Sequence, residues 1–169
     1  MIKSNWQGRK QFITHERGAS LVELLVSIGI AVLVFSVLST ALVQFLLTTR
    51  WGNDQLQVTN DIQVAALWLG RDALEAASFT PGASPVYGTL SWADGSEQYR
   101  YLYDAANQTL IREHYLSGVL QSTTTVSRHI SAVSDVDFSH TGPLLTVSIT
   151  STSGEESETA TLQFAMRVR

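Results

Sequence analysis

The feature that most constrains this chain is a long stretch without charge near its start. From Leu24 to Leu47 there is no Asp, Glu, Lys or Arg, and Gln44 is the only residue with an amide side chain. An α-helix needs about 20 apolar residues to cross the hydrocarbon core of a bilayer. The stretch exceeds that length, so the sequence predicts a membrane-spanning helix over about residues 21–49.

Charge is distributed unevenly on the two sides of this stretch. Four of the 11 basic residues but only one of the 15 acidic residues lie within the first 18 positions. Because basic flanks stay on the cytoplasmic side, this asymmetry predicts a single-pass protein of the inner (cytoplasmic) membrane whose remainder lies outside the cytoplasm. That remainder is acidic, which argues against a nucleic-acid partner. The chain has no cysteine, so disulfides and thiolate metal sites are excluded.

One acid, Glu23, interrupts the start of the apolar stretch. Three fates of this segment are open: an uncleaved anchor, a secretory signal cut after Ala41, or a segment that is cut on its N-terminal side and retained. A carboxylate at the centre of a membrane helix costs about 2.5–3.5 kcal/mol, and less near the interface. Neither a plain anchor nor a plain signal gains from this charge. Glu23 therefore indicates a function that requires a partner group.

After the apolar stretch the sequence predicts a second, amphipathic half of the same helix. There is no proline before Pro81, so one helix is expected over residues 19–78. Its apolar positions recur at three- and four-residue spacing, and Asp61 and Asp72 are expected largely on the other side. The apolar positions are Val58, Ile62, Ala65, Ala66, Leu69, Ala73 and Ala76.

Residues 79–169 have the composition of a β-rich head. The segment FTPGASP ends the helix, and period-two alternation follows, for example in EQYRYLYD. SGVLQSTTT is a loop or an edge strand, and LLTVSIT with TATLQFAMRVR is a terminal hairpin. Five or six antiparallel strands are expected. The predicted fold class is α+β, a long N-terminal helix packed against an antiparallel β-sheet.

The segment GASLVELLVSIGIAVLV, residues 18–34, resembles the N-terminal segment of type IV pilins and type II secretion pseudopilins. Gly18 matches the residue before the cleavage point, Ala19 the new N-terminus and Glu23 the fifth mature residue. The family usually has phenylalanine where this chain has Ala19. The helix segment LWLGRDALEAA and the strands after it are similar to minor pseudopilins of the J type and related minor pilins.

The resemblance implies a pilin-like fold and a structural role rather than an enzyme. A prepilin peptidase would remove the leader 1–18 and methylate the amine of Ala19. Further partners would be other pilin or pseudopilin subunits, the inner-membrane assembly platform and membrane lipid. The assembled filament is a type IV pilus, a competence pilus or a type II secretion pseudopilus. In that filament the Glu23 carboxylate would pair with the Ala19 ammonium of an adjacent subunit and fix the stagger between helices. No cofactor is implied.

Other chemical sites receive little support from the sequence. His114, His129 and His140 lack metal-ligand spacing, and no GxSxG elbow accompanies the serines. Glu155, Glu156 and Glu158 are typical of a solvated turn rather than a calcium loop. The alternative function is a membrane-anchored or secreted β-domain that binds a ligand, and it leaves the position of Glu23 unexplained.

Overall fold

The computed structural model of the protein describes residues 20–167, so the leader 1–18 and Ala19 lie outside the described residues. The chain divides into two compact units, Met1–Phe45 and Leu46–Arg169. The described part of the first unit is helical from Leu21 onward, and the second contains the rest of that helix and all the described strands. The fold class is α+β, as predicted.

Helix α1 spans Leu21–Glu75. It is long and apolar enough to cross a membrane. In the first unit its side chains are exposed, including the large apolar residues from Leu21 to Phe45. In the second unit one face is buried, and Val58, Ala65 and Leu69 are at most 1% exposed. Two halves of one helix therefore have different surroundings, as the change from a continuous apolar run to a periodic pattern predicts.

The first sheet has five antiparallel strands in the order β1-β2-β3-β4-β5. Their bounds are β1 Ser78–Pro81, β2 Val86–Ser91, β3 Glu97–Asp104, β4 Thr109–Leu116 and β5 Val119–Ser127. Ser117 and Gly118 join β4 to β5 with positive φ angles of 51° and 78°, as a two-residue hairpin of type I′ requires. β5 is an edge strand, which was one of the two structures predicted for that segment.

The second sheet has three antiparallel strands in the order β6-β7-β8. A 3₁₀ turn at Val133–Asp135 leads into β6 Val136–Thr141, followed by β7 Leu144–Ser153 and β8 Glu156–Ala165. β7 and β8 pair without a register shift from Leu144↔Ala165 to Ser153↔Glu156. This pair is the predicted terminal hairpin.

The core of the second unit lies between the buried face of α1 and the two sheets. It includes Tyr99 and Tyr101, which alternation places on one face of β3. Phe138 of β6 joins the sheets, because its ring lies 5.6 Å from that of Tyr101 and 5.7 Å from that of Tyr87, between ring centroids. Aromatic pairs at this separation add to the energy of area burial.

Two expectations about the second unit are wrong. Eight strands are present in residues 20–167, not five or six, partly because β1 forms where the sequence predicts only the end of the helix. Proline is compatible with β1 because this strand lies at a sheet edge. Asp61 and Asp72 lie on the buried face of α1, at 6% and 0% exposure, and not on the solvent side.

Candidate functional site

Of the residues predicted from the sequence for processing and assembly, Glu23 is the one that falls within residues 20–167. Gly18 and Ala19 lie outside the described residues. Glu23 lies in the first turn of α1 with an exposed side chain. Its neighbours on the helix surface are Leu24, Ser27 and Ile28.

Ser20 forms an N-terminal cap on α1. Its hydroxyl oxygen accepts a hydrogen bond from the Glu23 backbone N–H at 3.2 Å, and its carbonyl oxygen accepts one from the Leu24 N–H at 3.1 Å. A serine cap with an acid three residues later is the capping-box spacing, and an acid in the first turn also interacts favourably with the helix dipole. Glu23 thus has a local role in helix initiation that our sequence analysis missed, although the pattern SLVE contains its signal.

The carboxylate of Glu23 has no basic partner within residues 20–167. The ion pairs of the described residues all lie in the second unit, where Asp61, Asp72, Glu97 and Glu113 supply the carboxylates. In an apolar environment a carboxylate is stable only when it is compensated, and residues 20–167 provide no such counter-ion for Glu23.

A second group of charged residues is buried in the head around Asp72. Arg112 donates to both carboxylate oxygens, from Nε to Oδ2 at 2.5 Å and from Nη2 to Oδ1 at 2.9 Å. The Tyr101 hydroxyl donates to Oδ2 at 2.7 Å. The Arg112 guanidinium also lies 4.1 Å from the ring centroid of Tyr99 and 4.7 Å from that of Trp68. Asp72 therefore fixes α1 to β3 and β4.

Two residues that donate hydrogen bonds to Asp72, Tyr101 and Arg112, have shifted pKa values. Burial, together with the charge of Asp72, raises the pKa of Tyr101 well above its ordinary value. Burial disfavours the charged form of Arg112, but the hydrogen bonds and charge of Asp72 outweigh that effect and raise its pKa. The raised pKa keeps the Tyr101 hydroxyl neutral, so it donates its proton in the hydrogen bond to Asp72 beside the Asp72–Arg112 ion pair.

Asp61 is the second buried acid of α1, and its Oδ2 atom accepts from four donors. The backbone N–H groups of Arg128 and His129 donate at 3.1 and 3.0 Å, and the hydroxyl of Ser151 donates at 3.3 Å. His129 Nδ1 lies 2.7 Å from the same oxygen. Asp61 therefore connects α1 to the segment after β5 and to β7.

The remaining candidates form no shared centre within residues 20–167. His114 pairs with Glu97 at 3.3 Å, His129 pairs with Asp61, and the ring of His140 lies 6.1 Å from that of Phe79, between centroids. The described residues contain no group of three or more His, Asp or Glu side chains that could hold a metal ion. Glu156 accepts a hydrogen bond from the indole of Trp51, and Glu158 accepts one from Thr59.

Comparisons with protein-family models, with curated proteins and with solved structures gave no match to this chain.

Proposed function

We propose that the chain is a structural, pilin-like minor subunit of a type IV pilus, competence pilus or type II secretion pseudopilus. Prepilin peptidase cleaves after Gly18 and methylates Ala19. The helix then resides in the inner membrane with the head outside the cytoplasm, until it is packed into a filament that is periplasmic or on the cell surface. The single observation that supports this proposal best is the Glu23 carboxylate, isolated at the start of an apolar helix and without a counter-ion in residues 20–167.

The exposed apolar surface of the first unit supports an assembly role. In the first unit, the apolar side chains of α1 are exposed over its whole described length, so they require lipid or other helices around them. When the helix moves from lipid into a filament, this apolar surface stays out of contact with water. Relative to exposure in water, that burial is worth about 25 cal/mol per Å² of apolar surface. The Glu23–Ala19 pair between subunits then favours one stagger of neighbouring helices over the others.

The first test is the mass of the mature N-terminal peptide from the native host. The proposal predicts a peptide that begins with methylated Ala19. A peptide that begins at Leu42 would indicate a secreted domain, and an intact Met1 would indicate a plain anchor. Either of these results would refute the pilin route.

The second test separates the two roles of Glu23. Glu23→Ala and Glu23→Gln remove the charge, and we expect both to leave cleavage intact but impair incorporation into filaments. Ser20→Ala is the matched control, because it removes the helix cap, worth about 1 kcal/mol, and keeps the carboxylate. Normal incorporation of Glu23→Gln, or an equal defect in Ser20→Ala, would show that the charge does not set the register.

A further inference from the structure

Gln44 is a polar residue in the apolar part of α1 that the proposed function does not use. It is the only residue with an amide side chain between Leu24 and Leu47. Its side chain is exposed and forms no hydrogen bond with any residue in the range 20–167. An amide carries two donors and an acceptor oxygen, and hydrocarbon supplies a partner to none of them. In a membrane-spanning helix this amide therefore needs a polar group from another chain.

The position of Gln44 keeps its amide away from the membrane surface. The first charge after the apolar stretch is Arg50, six residues further on and about 9 Å along the helix axis. Side chains of an α-helix point back toward its N-terminus. The Gln44 amide therefore points away from Arg50 and into the apolar stretch, so headgroups and water on the Arg50 side do not supply its hydrogen bonds.

Gln44 lies on a helix face that another helix can approach closely. Ser36, Thr40 and Gln44 recur at four-residue spacing and line a shallow groove of about 290 Å³ together with Val37 and Ala41. We call this the groove face. The hydroxyls of Ser36 and Thr40 donate to carbonyl oxygens of α1 itself, both at 2.9 Å. Gln44 is thus the polar side chain of the groove face whose hydrogen bonds remain to be made, and its neighbours are small enough for close helix packing.

The opposite face of the same segment is bulky and entirely apolar. Phe35 and Leu42 lie about half a turn from the middle of the groove face, at 69% and 64% exposure. Large apolar side chains are well solvated by lipid chains, whereas small side chains and an amide favour contact with a helix. The asymmetry between the two faces indicates which one a partner helix covers.

A second copy of the chain fits the groove face because an amide is complementary to itself. In a parallel pair related by a two-fold axis, the same face of both helices meets, and each Gln44 can donate from its nitrogen and accept at its oxygen. Four-residue spacing of small residues is typical of right-handed crossings at about −40°, beyond which the helices diverge. Glu23 lies 21 residues before Gln44, about 30 Å along the axis, so the two Glu23 carboxylates are held apart.

From these features we infer that two copies of the chain pair in the membrane before assembly, groove face against groove face, with hydrogen bonds between their Gln44 amides. The inference rests on the membrane residence that is part of the proposed function. It depends neither on cleavage after Gly18 nor on the filament. A membrane pair is a form of the chain that the proposed function does not include.

The absence of cysteine permits a cross-linking test on the full chain. Val37→Cys and Ala41→Cys report on the groove face, and Phe35→Cys and Leu42→Cys report on the opposite face at similar depths. Each variant is oxidised in membranes of a bacterial host that lacks prepilin peptidase. A disulfide requires Cβ atoms about 3.5–4.5 Å apart, so we expect at least about threefold more dimer at the groove positions. Equal yields at all four positions, or a higher yield on the opposite face, would overturn the inference.

The role of Gln44 is tested by sedimentation equilibrium of the full chain in density-matched micelles. Gln44→Leu should raise the dimer dissociation constant by about threefold or more, because interhelical hydrogen bonds in membranes change affinity by factors of this order. Gln44→Asn is the matched control, since it keeps an amide and should retain most of the affinity. No effect of Gln44→Leu, or an equal loss in both variants, would refute pairing through the amide. Because the host does not process the chain, these results are independent of whether Ala19 is the mature N-terminus.

Discussion

The buried Asp72–Arg112 pair provides a quantitative test of how the head is held together. Asp72→Asn keeps the shape of the side chain and removes its charge, which leaves the 4% exposed Arg112 guanidinium without a counter-ion. Breaking a buried pair by removing one partner costs about 3–5 kcal/mol. Arg112→Met should lower the free energy of unfolding by a similar amount. Asp72 would keep its hydrogen bond from the Tyr101 hydroxyl but lose its two charge-assisted hydrogen bonds from Arg112.

The double variant Asp72→Leu/Arg112→Met should behave differently from the sum of the two losses. Replacing a whole buried ion pair by apolar side chains of similar volume is often neutral or stabilising. In this protein the double variant leaves the Tyr101 hydroxyl without its acceptor, at a cost of about 1–3 kcal/mol. We therefore expect the double variant to be more stable than either single variant.

Thermal unfolding of the full chain in micelles, followed by near-ultraviolet circular dichroism, measures these differences. For a domain of this size a loss of 3–5 kcal/mol lowers the midpoint by about 10–25 °C. Single variants that lose less than about 1 kcal/mol, or a double variant whose loss equals the sum of the single losses, would refute the reasoning. Either result would mean that the charges at Asp72 and Arg112 are not coupled across the core.

Three further predictions concern other parts of the head. Asp61→Asn should destabilise it by about 1–3 kcal/mol and increase amide hydrogen exchange at residues 128 and 129, as measured by NMR, because the buried donors lose their charged acceptor. Gly154→Ala should lower the unfolding midpoint more than Gly95→Ala. Both glycines have a positive φ, at 60° and 68°, but of the two only Gly154 would place the added Cβ against a side chain, that of Asp54. An equal lowering of the midpoint by the two substitutions would contradict this prediction. Burial, followed by the charge of Tyr103, raises the pKa of Tyr87 above its ordinary value of 10.0. The stability that the neutral Tyr87 hydroxyl contributes is therefore fully present below about pH 10 and is lost as pH rises through the pKa of the folded state. Over this pH range the unfolding midpoint of Tyr87→Phe should fall less than that of the unsubstituted protein.

Most of the architecture could be predicted from the sequence because the spacing of its apolar residues clearly distinguishes helix from strand. The continuous apolar run followed by three- and four-residue spacing indicated one helix with two environments, and alternation indicated the strands around Tyr99 and Tyr101. The short strand β1 was missed because Pro81 and Gly82 read as a helix break, whereas an edge strand tolerates proline. The helix end was placed at 78, and α1 ends at Glu75.

The site was less predictable, because its partners are distant in sequence. Arg112 reaches Asp72 only when β3 and β4 pair with Tyr101 opposite Arg112, and no local pattern reveals that register. Asp61 and Arg128 are likewise brought together by the tertiary fold. By contrast, the cap that Ser20 forms on the Glu23 backbone N–H is local, and the spacing of Ser20 and Glu23 in the sequence is sufficient to predict it.

Asp61 and Asp72 show why the helix takes one position on the head. They are eleven residues apart, about three turns, so they lie on one face of α1, the same face as Leu69. This spacing predicts that both acids are buried with Leu69, against the general expectation that acids stay in solvent. A face of alanine and leucine alone would permit α1 to slide by a turn at modest cost, because its side chains are similar along its length. Such a slide would separate Asp61 from its four donors and Asp72 from Arg112 and Tyr101 at once, leaving buried polar groups on both sides unpaired. We infer that the two acids select the position of α1 on the sheets, and that they contribute more to the uniqueness of this position than to the net stability of the head.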